Sequence, residues 1–352
     1  MQLALYAPGL GYYVAGSRKL GAEGDFVTAP EISPLFSQCL ARTIAPVLQQ
    51  LPEANILEAG AGSGIMAAEI LSHLTGMGQP PEHYYILELS GELRERQRQT
   101  IEQRVPGSVS RVVWLDKLPD NLSAVVLGNE VLDAMPVNLV SRQNNLWQEQ
   151  YVAWQDDHFV WQSGEITDAR LTERMLSIEA KYAEQFVDGY TTEINLLAED
   201  WLHALGQSLQ QGLVLLIDYG FPRHEYYHPQ RRTGTLMCHY RHHAHDDPFV
   251  YPGLQDITAH VDFTAIAEAA YASGFSIEGY TNQGNFLIGS GLTELCQQRD
   301  ENDLQPQMIM ANQIKKLTMP HEMGELFKVI GFSKQLDVSL PGFMLRDLRN
   351  SL

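Results

Sequence analysis

Basic residues are scarce in this 352-residue sequence, which has 24 lysines and arginines against 43 aspartates and glutamates. The formal net charge is -19. Because proteins that bind nucleic acid usually present a basic face to the phosphate backbone, this balance argues against a nucleic-acid partner. The acidic surface is compatible with a cationic substrate, although an acidic surface also simply keeps a protein soluble.

Cysteines and long apolar runs are also few. Cys39, Cys238 and Cys296 lie far apart without CxxC spacing, which is typical of reduced cysteines in an intracellular protein. The longest apolar run near the middle, residues 213–217, is far too short to cross a bilayer. No signal peptide or arginine-rich transit segment precedes the first motif. We therefore expect no membrane insertion and a cytoplasmic location; a mitochondrial matrix location would need a targeting segment upstream of this sequence.

What the sequence does contain is an alternation of short apolar runs with helical periods. Runs typical of buried strands cover residues 55–58, 84–89, 111–114, 124–128 and 213–218. Helical spacing covers residues 65–74 and 92–104. The alternation predicts an α/β fold with a mostly parallel sheet and helices on both faces. Two late runs, 276–281 and 285–290, flank the turn-forming triplet at 282–284 and predict an antiparallel hairpin at the sheet edge.

Residues 140–189 interrupt this alternation. Residues 146–161 alternate aromatic and polar side chains like a small antiparallel sheet, and residues 169–186 have helical spacing. We interpret the segment as an inserted β/α elaboration on the substrate side of one structural unit. The predicted parts of that unit are an N-terminal elaboration (1–50), the first half of the core (51–139), the insertion (140–189), the second half of the core (190–290) and a C-terminal elaboration (291–352).

The stretch LEAGAGSG, residues 57–64, lies at a strand-to-helix turn, where bare backbone and helix N-terminal amides can hold a ligand. The dinucleotide fingerprint GxGxxG would need glycine where Ile65 stands, and a Walker lysine with its Ser/Thr partner is missing. The form E-x-G-x-G-x-G, from Glu58 through Gly60 and Gly62 to Gly64, is instead the pattern of class I S-adenosylmethionine (SAM) methyltransferases. A purely structural turn is the alternative.

Two acidic residues follow later strands. Glu88 ends the next apolar run, where a carboxylate can accept hydrogen bonds from both hydroxyls of a ribose. Asp116 comes just after VVWL, at a place where such folds often contact adenine. A solvent-facing acid at a strand end is the alternative for Glu88, and a surface turn is the alternative for Asp116.

The stretch GNEVLDAMPV, residues 128–137, directly follows a buried strand whose carboxyl end would face the methyl group. Asn129, Glu130 and Asp133 place an amide and two acids at the mouth of a cleft. Paired acids suit a guanidinium, which is planar, always charged and best held bidentately. Capping of a helix start by Asn129 or Asp133 is the alternative.

Several further motifs accompany these three in order: LYAPGLGYY (5–13), GDFVTAPEISPLF (24–36), TEIN (192–195), LLIDYG (215–220), GTLMCHYRHH (234–243) and DPFVYPGLQDITAHVDF (247–263). Together they cover nearly the whole chain and resemble the MidA-like methyltransferase family. Its members are bacterial and mitochondrial proteins related to a protein-arginine methyltransferase that assists assembly of respiratory complex I. The resemblance implies a Rossmann-like methyltransferase fold and SAM as methyl donor, bound at the glycines of the loop and at Glu88.

The resemblance also implies a substrate: an arginine of a partner protein, such as a complex I subunit. The GDFVTAPEIS segment would fold over the methyl donor or line the substrate entrance, which places Asp25, Thr28 and Glu31 near the site. Asp218 and Tyr219 would close the other side of the cleft; a strand-end cap with a buried aromatic is their alternative. A SAM-binding assembly chaperone with little or no turnover is the alternative function. The sequence indicates no oligomeric state.

Histidines cluster in HYRHHAHDD, residues 239–247, and could suggest a metal site. The cluster lacks regular i, i+4 ligand spacing with a cysteine partner, so we expect no metal. His260 and Asp262, in AHVDF, either help to position substrate or form a buried hydrogen-bonded pair.

Overall fold

The structure is a computed structural model that describes residues 1–14, 27–241, 243–297 and 304–352. Asp25 and His242 of the sequence analysis lie outside these residues. The described strands are β1 (Ile56–Ala59), β2 (Tyr84–Leu87), β3 (Val112–Leu115), β4 (Leu122–Asn129), β5 (Asn138–Gln143), β6 (Leu146–Gln155), β7 (His158–Gly164), β8 (Thr191–Ile194), β9 (Leu209–Phe221), β10 (Met237–Tyr240), β11 (His243–His245), β12 (Asp256–Thr258), β13 (Val261–Asp262), β14 (Ser276–Asn282) and β15 (Phe327–Lys334).

The described α-helices connect and cover these strands. They are α1 (Gln2–Tyr6), α2 (Ala29–Ile32), α3 (Pro34–Leu48), α4 (Ile65–Gly76), α5 (Gly91–Arg104), α6 (Ala169–Tyr182), α7 (Leu196–Ser208), α8 (Arg223–Tyr226), α9 (Phe263–Ala272), α10 (Gln283–Gly289), α11 (Leu292–Gln297), α12 (Leu304–Thr318), α13 (Met323–Leu326) and α14 (Pro341–Met344). Within the described ranges, none of them has both the length and the apolar character that a bilayer-spanning helix requires.

The central sheet has the strand order β14-β15-β9-β4-β1-β2-β3, with β13 paired to part of β9. The run from β9 to β3 is parallel throughout. Parallel neighbours need crossover connections, which α4, α5 and the long insertion before β9 supply. The carboxyl ends of β1, β2, β4 and β9 therefore meet at one edge, where open α/β sheets bind their ligands. The predicted α/β fold with a mostly parallel sheet is confirmed.

Helices bury both faces of this sheet. Leu213 and Leu215 of β9 share a core with α3 and α4, whereas Val214 and Leu216 share another with α7 and α9. Because neighbouring side chains in a strand point to opposite faces, a strand buried on both sides must be apolar at every position. This explains why the run from 213 to 217 has no polar residue.

The hairpin predicted over residues 276–281 and 285–290 is wrong. The first run is β14, but the second lies in α10, because the side chain of Asn282 accepts a hydrogen bond from the amide of Asn285 at 2.9 Å and starts a helix. The neighbour of β14 is β15, which runs antiparallel between β14 and β9. An antiparallel strand is present here, but it comes from much later in the chain.

The insertion forms a four-stranded antiparallel sheet in the order β7-β6-β5-β8. The helix α6 packs on it through Leu171, Met175 and Ile178, which share a core with Val140. The alternation at 146–161 thus becomes the strands β6 and β7, and the helical spacing after it becomes α6. The sheet also includes β8, so it extends past residue 189.

Candidate active site

The glycine loop connects β1 to α4 at the ligand-binding edge of the sheet. Gly60, Gly62 and Gly64 all have positive φ angles of 65°, 52° and 81°. A Cβ atom on Gly60 would come within 3.0 Å of the Val131 side chain, and one on Gly64 within 2.9 Å of the Gln97 backbone. The loop therefore needs glycine both for its backbone conformation and for close packing. It leaves main-chain groups exposed to a cavity.

Glu88 follows β2 and lines this cavity. Its carboxylate accepts hydrogen bonds from the Ser90 amide at 2.9 Å and from Gln97 Nε2 at 3.1 Å. Burial nevertheless raises the pKa of Glu88, against the lowering effect of these hydrogen bonds. The carboxylate is thus fixed in orientation and faces the cavity.

Gln97 is a positioning residue that the sequence analysis missed. Its buried amide also donates to the carbonyl of Gly62 at 3.1 Å and accepts from Trp114 Nε1 at 2.9 Å. One side chain on α5 therefore ties the glycine loop to Glu88. A polar residue on the inner face of an otherwise charged helix was the available signal.

Glu58 and Asp116 have different environments. Glu58 is buried at the end of β1 and accepts a hydrogen bond from the hydroxyl of Tyr84 at 2.6 Å. Burial raises the pKa of Glu58 to about 7, and the side chain lines the cavity. Asp116 does not line it: its side chain is exposed and pairs with Arg94 at 2.6 Å. The structure thus supports the surface-turn alternative for Asp116.

The cavity beside the glycine loop has a volume of about 330 Å³. Besides the loop, its walls come from the N-terminal segment, β1, the end of β2, the turn after β4 and α7: Tyr6, Tyr13, Thr28, Glu31, Glu58, Glu88, Asn129, Glu130, Val131, Met135 and Trp201. Glu31 of α2 accepts a hydrogen bond from the Ser63 hydroxyl, so this short helix is attached to the glycine loop. We call this space the loop cavity.

The turn after β4 carries Asn129 and Glu130. Glu130 has a positive φ of 53°, rare for a residue with a side chain, and its amide donates to the carbonyl of Ile217 at 2.8 Å. Asn129 Nδ2 donates to the Glu130 carboxylate at 2.9 Å. Burial, followed by the charge of Asp133, raises the pKa of Glu130 to about 8. No helix starts at this turn, so the helix-capping alternative is wrong.

Asp218 holds this turn from the neighbouring strand β9. Its buried carboxylate accepts hydrogen bonds from the amides of Leu132 at 2.9 Å, Asp133 at 3.3 Å and Tyr219 at 2.9 Å. Burial, with the charges of Asp133 and Glu130, raises the pKa of Asp218 well above its usual value. Asp218 therefore orients the turn as a strand-end cap and does not line either cavity described here.

A second cavity of about 260 Å³ also has Glu130 in its lining. It is lined by Tyr13, Val27, Glu130, Asp133, Tyr219, Met237, His239, Asp256, Thr258, His260, Leu326 and Phe327. Tyr13 and Glu130 line both cavities, so the two spaces adjoin. Tyr13 also donates a hydrogen bond to Asp256 at 2.8 Å. We call this space the acidic cavity, because the carboxyl groups of Glu130, Asp133 and Asp256 line it.

His260 and Asp262 do not pair with each other. Asp262 caps α9 and forms an ion pair with Arg223 at 3.0 Å. His260 lies in the acidic cavity, and burial lowers its pKa to about 4, so the ring is neutral at physiological pH. The described residues of the histidine cluster lie on and around β10 and β11. Within the described ranges, no group of three or more His, Cys, Asp or Glu side chains is arranged to hold a metal ion.

Comparison with known proteins identifies the family to which the chain belongs. Residues 39–281, well over half of the chain, match the family model described as "Putative S-adenosyl-L-methionine-dependent methyltransferase". The chain belongs to this methyltransferase family. The MidA-like resemblance of its motifs is confirmed, and SAM is its methyl donor.

Three relatives are similar to this methyltransferase over nearly its whole length. A Burkholderia thailandensis protein, crystallised with S-adenosyl-homocysteine, is 47% identical and has a TM-score of 0.94 over 100% of this chain and 90% of its own. The Drosophila melanogaster mitochondrial protein arginine methyltransferase NDUFAF7 homolog is 28% identical over 94% of this chain and 79% of its own length. Human mitochondrial protein arginine methyltransferase NDUFAF7 is 27% identical over 93% and 77%.

The loop cavity of the methyltransferase fits SAM. Bare glycine backbone, a fixed carboxylate on Glu88 and apolar walls such as Met66 and Leu93 suit a nucleoside joined to an amino acid. In addition, Asn129 Oδ1 is buried without a hydrogen-bond partner among the described residues, so an acceptor is free at the edge of this cavity.

Proposed function

We propose that this methyltransferase modifies an arginine of a partner protein. The observation that carries the proposal is the acidic cavity, which adjoins the loop cavity at Glu130 and Tyr13. An arginine guanidinium is always charged and presents a planar fork of N–H donors, for which closely placed carboxylates are the strongest partners. The names of the NDUFAF7 relatives, as protein arginine methyltransferases, support the same substrate.

In this proposal Glu130 and Asp133 clamp the guanidinium. Burial raises the pKa values of both carboxyls. A cation between them favours their ionised forms and offsets the cost of burying charge. Tyr219 and Tyr13 line the sides of the cavity, and Asp256 adds a third acid that Tyr13 orients.

Glu130 is the proposed proton acceptor. The guanidinium must lose a proton as a methyl group is added, and a carboxylate whose pKa is raised to about 8 holds that proton better than an ordinary one. Glu130 also lines both cavities, so it lies where the substrate nitrogen must meet the methyl donor. Asn129 orients this carboxylate through the 2.9 Å hydrogen bond.

The remaining residues of the proposed site bind SAM. Bound SAM supplies an activated methyl group on a positively charged sulfur. The backbone of Gly60, Gly62 and Gly64 would hold the donor, and the Glu88 carboxylate would accept hydrogen bonds from its ribose. Glu58 lines the same cavity, while Thr28 and Glu31 cover it from the N-terminal side.

The experiment is to incubate the protein with labelled SAM and a lysate of its host, and to locate the label by mass spectrometry. We expect the label on an arginine of a discrete protein; a respiratory complex I subunit stays a prediction of the resemblance. Label confined to lysine, carboxyl or hydroxyl groups would overturn the arginine assignment. Binding of S-adenosyl-homocysteine without any labelled product would favour the assembly chaperone.

A further inference from the structure

The hairpin of β6 and β7 exposes large apolar side chains on one face. Val152 lies opposite Trp161, and Trp154 lies opposite Phe159, so all four project to the same side. Their exposed fractions are 52% for Val152, 41% for Trp161, 60% for Trp154 and 39% for Phe159. Such a contiguous exposed apolar group marks an interaction site more often than a structural one.

A neighbouring loop extends this face. Phe249 contacts Trp161 with a ring separation of 4.9 Å and Phe159 at 6.0 Å. Val250, Tyr251 and Leu254 of the same loop are also exposed. We define the aromatic surface as Phe249 together with the four hairpin residues Val152, Trp154, Phe159 and Trp161.

The two segments that form the aromatic surface are rich in acids and contain no lysine or arginine. Residues 143–169, which include the whole hairpin, contain no lysine or arginine but five aspartates and glutamates: Glu149, Asp156, Asp157, Glu165 and Asp168. The loop adds Asp246 and Asp247, and residues 243–262 also contain no lysine or arginine. Exposed indole rings among carboxylates suit cationic side chains, which stack on aromatic faces and pair with acids.

The loop also joins the aromatic surface to the acidic cavity. It begins at Asp247 and runs to Asp256, one of the acids that line that cavity. The buried side chain of Gln255 donates to the carbonyl of Asp247 at 3.3 Å, which closes the loop on itself. A peptide that places one residue in the acidic cavity therefore has the aromatic surface as a continuation of its path.

We propose that the aromatic surface docks a basic segment of the substrate protein, next to the arginine that is methylated. The inference rests on the proposed function, because it takes the acidic cavity as the arginine site. Arginines of this segment stack on Trp154 and Trp161 and pair with Asp156 and Asp157 in the hairpin turn. These contacts add binding affinity beyond that of the arginine that is methylated. A second copy of this chain is disfavoured by like charge, and an anionic membrane is disfavoured by the surrounding acids.

The test measures fluorescence anisotropy of a labelled peptide of repeated Gly-Arg-Gly units with the full chain and saturating S-adenosyl-homocysteine. Trp154→Ala combined with Trp161→Ala should weaken binding about tenfold, as expected for two stacked cations. Tyr271→Ala is the matched control, since Tyr271 is 75% exposed on α9, outside the aromatic surface. It should bind the peptide like wild type, and all variants should bind S-adenosyl-homocysteine equally.

A second pair of variants covers the case in which the tryptophan variant fails to fold. Asp156→Asn with Asp157→Asn keeps the hairpin turn, because both positions have positive φ angles that asparagine accepts. Glu102→Gln with Glu322→Gln removes the same charge from other exposed positions. Only the hairpin pair should weaken peptide binding appreciably; equal loss in both pairs would reduce the effect to general charge attraction and overturn the proposal.

Other outcomes separate this inference from the proposed function. Unchanged peptide affinity in a folded tryptophan variant overturns docking but leaves arginine methylation intact if labelled arginine is still found. Peptide binding that depends on the tryptophans, without methylation by any preparation, counts against the proposed function alone. Tryptophan-dependent binding to phosphatidylglycerol vesicles, or a dimer lost in the tryptophan variant, would assign the aromatic surface to a membrane or to a second copy instead.

Discussion

At the scale of single residues, the site depends on carboxyl groups whose surroundings differ. Glu88, Glu130 and Asp133 all follow strands at the ligand-binding edge, but Glu88 accepts hydrogen bonds from Ser90 and Gln97, whereas Glu130 accepts one from Asn129 and its pKa is raised to about 8. Their positions were predictable from the sequence because each follows an apolar strand. Asp256 was not, since only the fold of its loop brings it to the acidic cavity.

We expect Glu88→Ala to weaken binding of S-adenosyl-homocysteine by about 1.5–3 kcal/mol, the usual effect of losing hydrogen bonds to a charged group. Asp116→Ala is the control, because this exposed aspartate lies outside the loop cavity. Titration calorimetry measures both. Wild-type affinity in the Glu88 variant, or an equal loss in the Asp116 variant, would move the ribose contact elsewhere.

The raised pKa of Glu130 predicts the pH dependence of catalysis. Below about pH 8 the carboxyl of Glu130 in the free enzyme is protonated and lacks the charge that holds a guanidinium, so kcat/KM should rise as the pH increases through this value. Arginine itself stays charged over the whole range. The profile of Glu130→Gln should lack this inflection; an unchanged profile would show that another group titrates.

At the scale of elements, strand and helix positions in the core followed from periodicity, because strands buried on both faces are continuously apolar. The late hairpin failed because local turn chemistry does not reveal that Asn282 caps a helix, and the true partner β15 lies far along the chain. Likewise, the sequence shows Gln97 as a polar residue on the inner face of α5, but only the fold shows that it ties the glycine loop to Glu88.

The contact between the glycine loop and α5 gives a prediction at this scale. Gly64→Ala should lower thermal stability and S-adenosyl-homocysteine affinity together, because the added Cβ would meet the Gln97 backbone at 2.9 Å. Gly78→Ala is the control: its φ is also positive, at 73°, but its Cβ would meet open space. The control should lose only about 1–2 kcal/mol of folding free energy, which is the cost of a Cβ atom at a left-handed backbone position. Equal losses in the two variants would show that this packing contact is unimportant.

At the scale of the whole molecule, buried acids make stability depend on pH. The folded pKa of Glu130 is raised from 4.5 to about 8, so the folded protein binds this proton more tightly than the unfolded chain. The stabilisation that this proton gives the folded protein is therefore fully present below pH 4.5 and is lost as the pH rises towards 8. Glu58, whose pKa is raised to about 7, acts in the same direction.

Urea unfolding at pH 6 and pH 8.5 tests this linkage. Glu130→Gln should lose less free energy of unfolding than wild type between the two pH values, because the amide does not ionise. Glu102→Gln, at an exposed position, should lose as much as wild type. A wild-type pH dependence in the Glu130 variant would mean that this carboxyl already ionises near its usual pH in the folded protein.

The central claim, that the acidic cavity holds an arginine beside SAM, is tested most directly by single-turnover methylation of the lysate protein that accepts label. Glu130→Gln and Asp133→Asn keep the shape of each side chain but remove its charge. Both should bind S-adenosyl-homocysteine nearly as wild type does, while the rate of methyl transfer should fall by about 10²–10³, as for loss of one preorganised electrostatic contact. Methylation at the wild-type rate by both variants would contradict the account.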